Sequence, residues 1–440
     1  MRDRLKLLGI VSALMFAVNV PVALAQPAPM KDGAAAAMAG GIPAGTTITT
    51  ENWQQYRDFM SEGQQALFAG KYFWKMPPTA QIEVGPTVVN ALPKSYMEAT
   101  EKYAGQVRLA QLPDGGLTME NYQGGIPFPT PSEPHKGWKI LADVWFRYIP
   151  HLVVLKNAGG CALDQQGNVN CSSGELNYRQ LSYNTDPGVP STIPETQGKF
   201  WTQWFMITEP EQVRYTASLT ISYTDLTRPE DVYAFLPSLR RYQPVSTLAR
   251  CSQMQGMDIT PDDYRSGFDA SLREMQVDYL GEKKVLALIL PTMPDKFPGA
   301  YEMPLGWPKP SWGKWQVRDV YVISASKLPT HSGGYCYGKR VMYVDKATFN
   351  TYWEELYDSK MALWKIAGFF LHTIDVPGIG PVDSSGSLIY AFWDIQNNHA
   401  SFIGDPIDSQ PTTYINDQVP KEYLDLSRYS TPGGLNLIMR

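Results

Sequence analysis

The segment VRYTASLTISY (213–223) alternates apolar and polar residues without a slip, and this constrains the chain more than any other feature. In an extended strand successive side chains point to opposite faces, so Val213, Tyr215, Ala217, Leu219, Ile221 and Tyr223 share one face and the intervening polar residues share the other. The pattern predicts a long strand with its apolar set turned inward. Further strand candidates follow at 231–236, 284–290, 315–324, 339–345, 348–357, 361–371 and 388–396, separated by turn signals. No helical stretch between them is long enough to serve as parallel crossovers, so the economical arrangement is an antiparallel meander. With aromatic residues at 12% and charged residues at only 18%, such a sheet has a large apolar face to cover.

Two N-terminal helices are expected to supply the cover. Thr50 is placed to cap a helix over 51–69, with Trp53, Tyr56, Met60 and Leu67 on one face. Ser95 and Glu98 form a capping-box signature for a second helix, to about Tyr103. GGIPFPTPSEP (124–134) predicts an irregular surface-wrapping segment. The fold class expected is therefore mainly β with covering α-helices: a curved antiparallel sheet forming an incomplete barrel, with a Pro/Gly-rich N-terminal extension. Residues 49–430 read as one domain, with helices and irregular wrap over 49–198 and the main sheet over 199–430.

The first 25 residues resemble an export signal. Arg2, Arg4 and Lys6 form a basic head, residues 7–22 are mostly apolar, and Ala23-Leu24-Ala25 fits a signal-peptidase site, so cleavage is expected after Ala25. Residues 26–48, rich in Ala, Gly and Pro, read as a flexible leader. Localisation in the periplasm follows, with peripheral association at the outer membrane as an option. Without Arg2, Asp3, Arg4 and Lys6 the chain keeps 35 basic and 42 acidic residues, a net charge of about −7, which argues against nucleic acid as a partner. The four cysteines suit an oxidising compartment. Cys161 and Cys171 bracket a hairpin-like loop with Gly167-Asn168 at its tip, and Cys251 and Cys336 pair by exclusion. Neither pair has metal or redox spacing, so no cofactor or metal is expected.

The sequence carries no nucleophile elbow, zinc helix, Walker loop or dinucleotide fingerprint, and its five histidines are scattered. The adjacent carboxylates Asp262-Asp263 and Glu354-Glu355 diverge on any regular element, so neither is an acid/base pair. The chain reads as a non-enzyme. The aromatic residues on the strands suggest instead a cavity for an apolar ligand, lined by Leu219, Tyr223, Tyr233, Phe235, Trp315, Tyr321 and Trp353, with Arg240 and Arg241 at its mouth for an anionic head group.

NYQGGIPFPTP (121–131), VYAFLPSLRR (232–241), GFDA (267–270) preceded by Asp262-Asp263, and YGKRVMYVDKATFNTYWEELYDSKMALWKI (337–366) resemble the bacterial DUF1329 family, over roughly 46–430. That family is similar to the periplasmic lipoprotein carrier LolA and the outer-membrane receptor LolB, whose incomplete barrels hold acyl chains. The resemblance implies a hydrophobic small molecule or lipid as ligand. It also implies, as partners, an RND-type inner-membrane transporter and an outer-membrane β-barrel protein. Two departures stand out: the chain is about twice as long as the carriers, and Tyr242-Gln243-Pro244 follows the double arginine where further arginines are common. The leading expectation is a periplasmic carrier or chaperone for an apolar ligand. The rivals are a non-catalytic scaffold of a transporter complex and a hydrolase or isomerase acting on a hydrophobic compound. An unfilled apolar cavity favours the carrier, a filled core the scaffold, and convergent titratable groups the enzyme.

Overall fold

The computed structural model describes residues 41–440 apart from 247–249, 255, 334, 405, 408–411 and 440, and leaves out the side chains of residues 266 and 384–388. The expected signal segment and most of the expected leader lie outside the described residues. The last leader residues do not: Ile48 is fully buried, and Thr47–Thr49 pairs with Gln81–Glu83.

Fourteen strands form one sheet, numbered here without the minor pairs: β1 Leu152–Asp164, β2 Val169–Gln180, β3 Lys199–Glu209, β4 Ala217–Tyr223, β5 Asp231–Leu236, β6 Arg241–Pro244, β7 Met275–Leu290, β8 Trp315–Lys327, β9 Lys339–Asp345, β10 Thr351–Tyr357, β11 Leu363–Val376, β12 Gly380–Asp394, β13 His399–Ile403 and β14 Thr412–Ile415. Their order is β6-β5-β4-β3-β2-β1-β13-β12-β11-β7-β8-β9-β10, with β14 beside β1 and β10 also pairing with β11. All neighbours are antiparallel except β7 and β11, which meet in parallel at Ile289–Leu371 and Leu290–His372. One end therefore curls back on itself while β6 remains an edge, which makes an incomplete barrel. The mainly β class and the meander are as the alternation predicts.

Four differences from the expected elements stand out. The alternating strand begins at Ala217, because Glu211–Val213 makes a 3₁₀ turn and Tyr215 takes a left-handed φ of 69°. Val213 and Tyr215 are consequently exposed. The first helix is broken into a 3₁₀ stretch, Trp53–Phe59, and α1, Glu62–Phe68, where Ser61 and Gln64 form the capping box. The second, α2 (Lys94–Tyr103), starts after Pro93 without a side-chain cap. Finally, the sheet begins well before residue 199: β1 and β2 form a long hairpin whose apolar and glycine run hides the period-two signal. Cys161 and Cys171 lie opposite each other in that hairpin and are disulfide-bonded, as are Cys251 and Cys336.

The main core is filled by a helix absent from the sequence reading, α3 (Lys136–Trp145). Gly137, Trp138 and Ile140 to Trp145 are all buried. A helix apolar on most sides belongs inside a protein, and α3 packs with Ile323, Met342 and Val344 of β8 and β9. Nearby, Trp307, Trp315, Trp353 and Trp393 stack with ring centroids 5.5 to 6.4 Å apart. All four rings are buried, each covered by the others and by the sheet.

Candidate functional site

The two faces of β3, β4 and β5 meet different covers. On the outer face Trp204, Ala217, Leu219, Ile221, Tyr223 and Phe235 pack against Val419, Tyr423, Tyr429 and Leu435 of the C-terminal segment. On the inner face Gln203, Phe205, Ser218, Thr220 and Val232 border a cavity of about 220 Å³. The register fixes this division, because Leu219 lies opposite Trp204 and Tyr233, whereas Thr220 lies opposite Gln203 and Val232.

A strap between β6 and β7, described over residues 245–246, 250–254 and 256–270, closes the other side of the cavity with Arg250, Met254, Met257, Tyr264, Arg265 and Asp269. It presses on β1 so closely that a β-carbon built on Gly160 would lie 2.7 Å from Met257 Sδ. The Cys251–Cys336 disulfide ties the strap to the chain just before β9. Leu155, Leu176, Phe205 and Val232 line the cavity yet are only half buried. The protein's own side chains leave this apolar wall unfilled.

The floor is ionic. Arg250 donates to Asp262 and to Glu230 Oε2 (3.1 Å), and also to the Asp269 carbonyl. Arg265 stands 3.9 Å from Asp269 Oδ1 and lies 4.7 and 4.8 Å over the rings of Trp145 and Trp201. Burial pushes the Glu230 carboxyl up, and it pushes Asp269 well above the carboxylate range, with the like charge of Glu230 adding to it. Burial also opposes ionisation of Asp262, but Arg250 first and Lys327 next outweigh it and hold that group below its ordinary value. A second cavity of about 240 Å³ shares Glu230 and Arg250 as wall residues and is lined by Ser222, Tyr223, Arg228, Glu274, Lys327, His331 and Tyr335 among others.

Beneath the strap, Asp263 meets Arg340 at 3.2 Å and accepts from Tyr337 at 2.7 Å, while Tyr335 donates to Asp262 at 2.6 Å. Glu354 completes the Arg340 pair at 3.4 Å. The adjacent carboxylates thus diverge as expected: Asp262 turns to Arg250 and Asp263 to Arg340, while Glu355 accepts from the Gly63 amide at 2.6 Å instead.

The seven residues proposed from the sequence as one lining are not brought together. Leu219 and Phe235 belong to the outer cluster, with Tyr233 packed against it. Trp315 and Trp353 are in the tryptophan stack, and Tyr321 sits 6.5 Å from Tyr279. Of the seven, Tyr223 alone borders either of the two cavities, the second. The alternation identified two faces correctly, but the more apolar one is covered by the C-terminal helices and the mixed one faces the void. Arg240 and Arg241 are exposed at the turn into the edge strand β6 and line neither cavity; Arg250 and Arg265 do. The one sequence signal for that floor was the acidic pair preceding GFDA, whose Asp269 and neighbouring Arg265 reach the cavity.

Fold and site together define a mainly β half-barrel with a strapped inner cavity. Residues 47–434 match the family described as "Protein of unknown function (DUF1329)", and the chain belongs to that family. It is 32% identical over 103 residues to an uncharacterized protein of Pseudomonas aeruginosa, a match covering 23% of this chain and 20% of that relative, so it spans about a fifth of the relative's length. Among solved structures it is similar to a putative outer membrane lipoprotein-sorting protein domain from Vibrio parahaemolyticus (16% identity, TM-score 0.45, 70% of this chain and 99% of that one). A DUF1329 family protein from Desulfovibrio piger gives 14% identity, TM-score 0.45, and coverage of 68% and 100%. A LolA superfamily protein from Nitrosomonas europaea gives 14%, 0.37, and coverage of 66% and 97%.

Proposed function

We propose that this protein is a carrier or chaperone of the cell envelope that shields an apolar molecule on the inner face of its half-barrel. The observation that carries the reading is the unfilled wall of Leu155, Leu176, Phe205 and Val232 beneath the strap. At about 220 Å³ the cavity exceeds the roughly 150 Å³ void that, engineered into another protein, stays dry and accepts benzene. Burying about 200 Å² of ligand surface at about 25 cal/mol per Å² contributes about 5 kcal/mol, so useful affinity needs the preformed cavity described above. The export signal read from the sequence supports a site of action in the periplasm, and the family resemblance supports hand-over to an RND-type transporter and an outer-membrane partner.

One observation favours a second reading. Titratable groups converge on the cavity floor, as in an enzyme acting on a hydrophobic compound. Arg250 is nevertheless engaged by Glu230 and Asp262, and the described residues lining the cavity include no serine–histidine or cysteine–histidine pair. Native mass spectrometry of the protein purified from its own periplasm tests the carrier. Co-purification of an intact lipid or other apolar molecule, released on unfolding, is the expected result. A chain that carries nothing and binds no acyl, sterol or aromatic probe overturns the reading.

A further inference from the structure

Four side chains that line the first cavity each hold a buried polar atom without a hydrogen-bond partner: Tyr178 Oη, Arg265 Nε and Nη1, Asp269 Oδ1 and Glu230 Oε1. Tyr178, Arg265 and Asp269 are 5%, 7% and 6% exposed. Buried polar atoms are nearly always satisfied, so several orphans on one floor point to a group that joins them when the cavity is filled. The orphans are of both kinds, with Arg265 donating, Glu230 accepting, and Tyr178 and the burial-raised carboxyl of Asp269 able to do either.

Charge narrows the class of that group. Around the floor the guanidiniums of Arg250 and Arg265 meet the carboxyls of Glu230, Asp262 and Asp269, and burial disfavours the ionised form of the last, so the fixed charges balance. An added anion or cation would lose its hydration with no spare countercharge to replace it. A neutral group that both donates and accepts meets the orphans without that cost.

Resting on the carrier reading, we propose that the floor is a polar subsite, and that the cargo is an amphiphile whose uncharged hydroxyl or amide end docks against the cluster of Arg265, Tyr178, Asp269 and Glu230. The apolar part then lies along Leu155, Leu176, Phe205 and Val232.

The test displaces the apolar fluorophore N-phenylnaphthylamine from the full chain with decane, decanol, decanamide, decanoate and decylamine. Decanol or decanamide should compete about tenfold more tightly than decane and than either charged chain. Tyr178→Phe removes an oxygen that makes no hydrogen bond of ordinary geometry and only faces the Arg265 guanidinium, so it should keep its melting temperature and its affinity for decane while the preference for decanol falls several-fold. Asp269→Asn should also reduce that preference. Equal competition by decane and decanol means that the floor holds only water, which overturns the subsite and leaves the carrier standing. Tightest binding of decanoate or decylamine overturns the neutral-head assignment. Failure of the fluorophore and all five competitors to bind overturns the carrier reading and the subsite with it.

Discussion

Leu219 and Thr220 are neighbours on β4, yet they serve opposite faces of the sheet. Leu219 is fully buried under the C-terminal segment, whereas half-buried Thr220 borders the cavity beneath the strap. The comparison teaches that the more polar-looking face of a strand can border a cavity while its strongly apolar face is sealed against the chain itself.

The difference between the faces makes contrasting mutational outcomes. Leu219→Glu places a charge in the sealed cluster and should cost about 4 kcal/mol or more, abolishing cooperative unfolding at ordinary temperature. The milder Leu219→Ala should cost about 2 to 5 kcal/mol in denaturant titrations and leave ligand affinity of the folded protein unchanged. Loss of binding at full stability in that variant would break the assignment of faces.

Next in size are the two disulfides. Opening Cys251–Cys336 by Cys251→Ser releases a loop of 85 residues and should cost about 4 kcal/mol. Because this bridge holds the strap, hydrogen exchange across 256–270 should quicken and ligand affinity should fall. Opening Cys161–Cys171, separated by 10 residues, should cost about 2 to 3 kcal/mol without loosening the strap. Equal effects of both on exchange in the strap would contradict its role as the cavity's lid.

Much of the fold was legible, and the physical reasons for the gaps are specific. The strands 231–236 and 339–345 coincide with β5 and β9, because alternation and flanking turns agree there. The β1–β2 hairpin was read only at its tip, between Cys161 and Cys171, and its long strands were missed because LVVLKNAGGCALD reads as a run with glycines rather than an alternation. The helix α3 was missed although Trp138, Leu141, Ala142 and Trp145 stand at helical spacing, because it is only 10 residues long and follows the proline-rich run without a capping side chain. The candidate site was less legible than the fold. Period two separates the faces of β4 without saying which one a distant segment covers, and residues 416–438 carry no signal that they seal the apolar side. The floor residues Arg250, Arg265 and Asp269 come together only through the path of the strap.

The filled half of the sheet supplies a control with a pH signature. Burial pushes the Glu355 carboxyl up to about 7 from an ordinary 4.5, against the pull of the Gly63 amide. The native state therefore holds a proton that the unfolded chain has released between these values, and stability falls as pH rises through that window. The loss should reach about 3 kcal/mol near pH 7, with no further change from this group above it. Glu355→Gln should flatten that part of the curve. Because Glu355 seats α1, far in sequence from the strap, the substitution should leave ligand affinity unaltered.

The most direct measurement fills the cavity from the inner face. Ser218→Phe adds a ring beside Phe205, its cross-strand partner, within the 220 Å³ void. Titration of wild type and variant with a fluorescent fatty acyl probe should show saturable binding by the wild type. The variant should bind at least about tenfold more weakly, with an equal or higher melting temperature. Equal affinity in a folded Ser218→Phe protein would contradict the placement of the ligand on the inner face of the half-barrel.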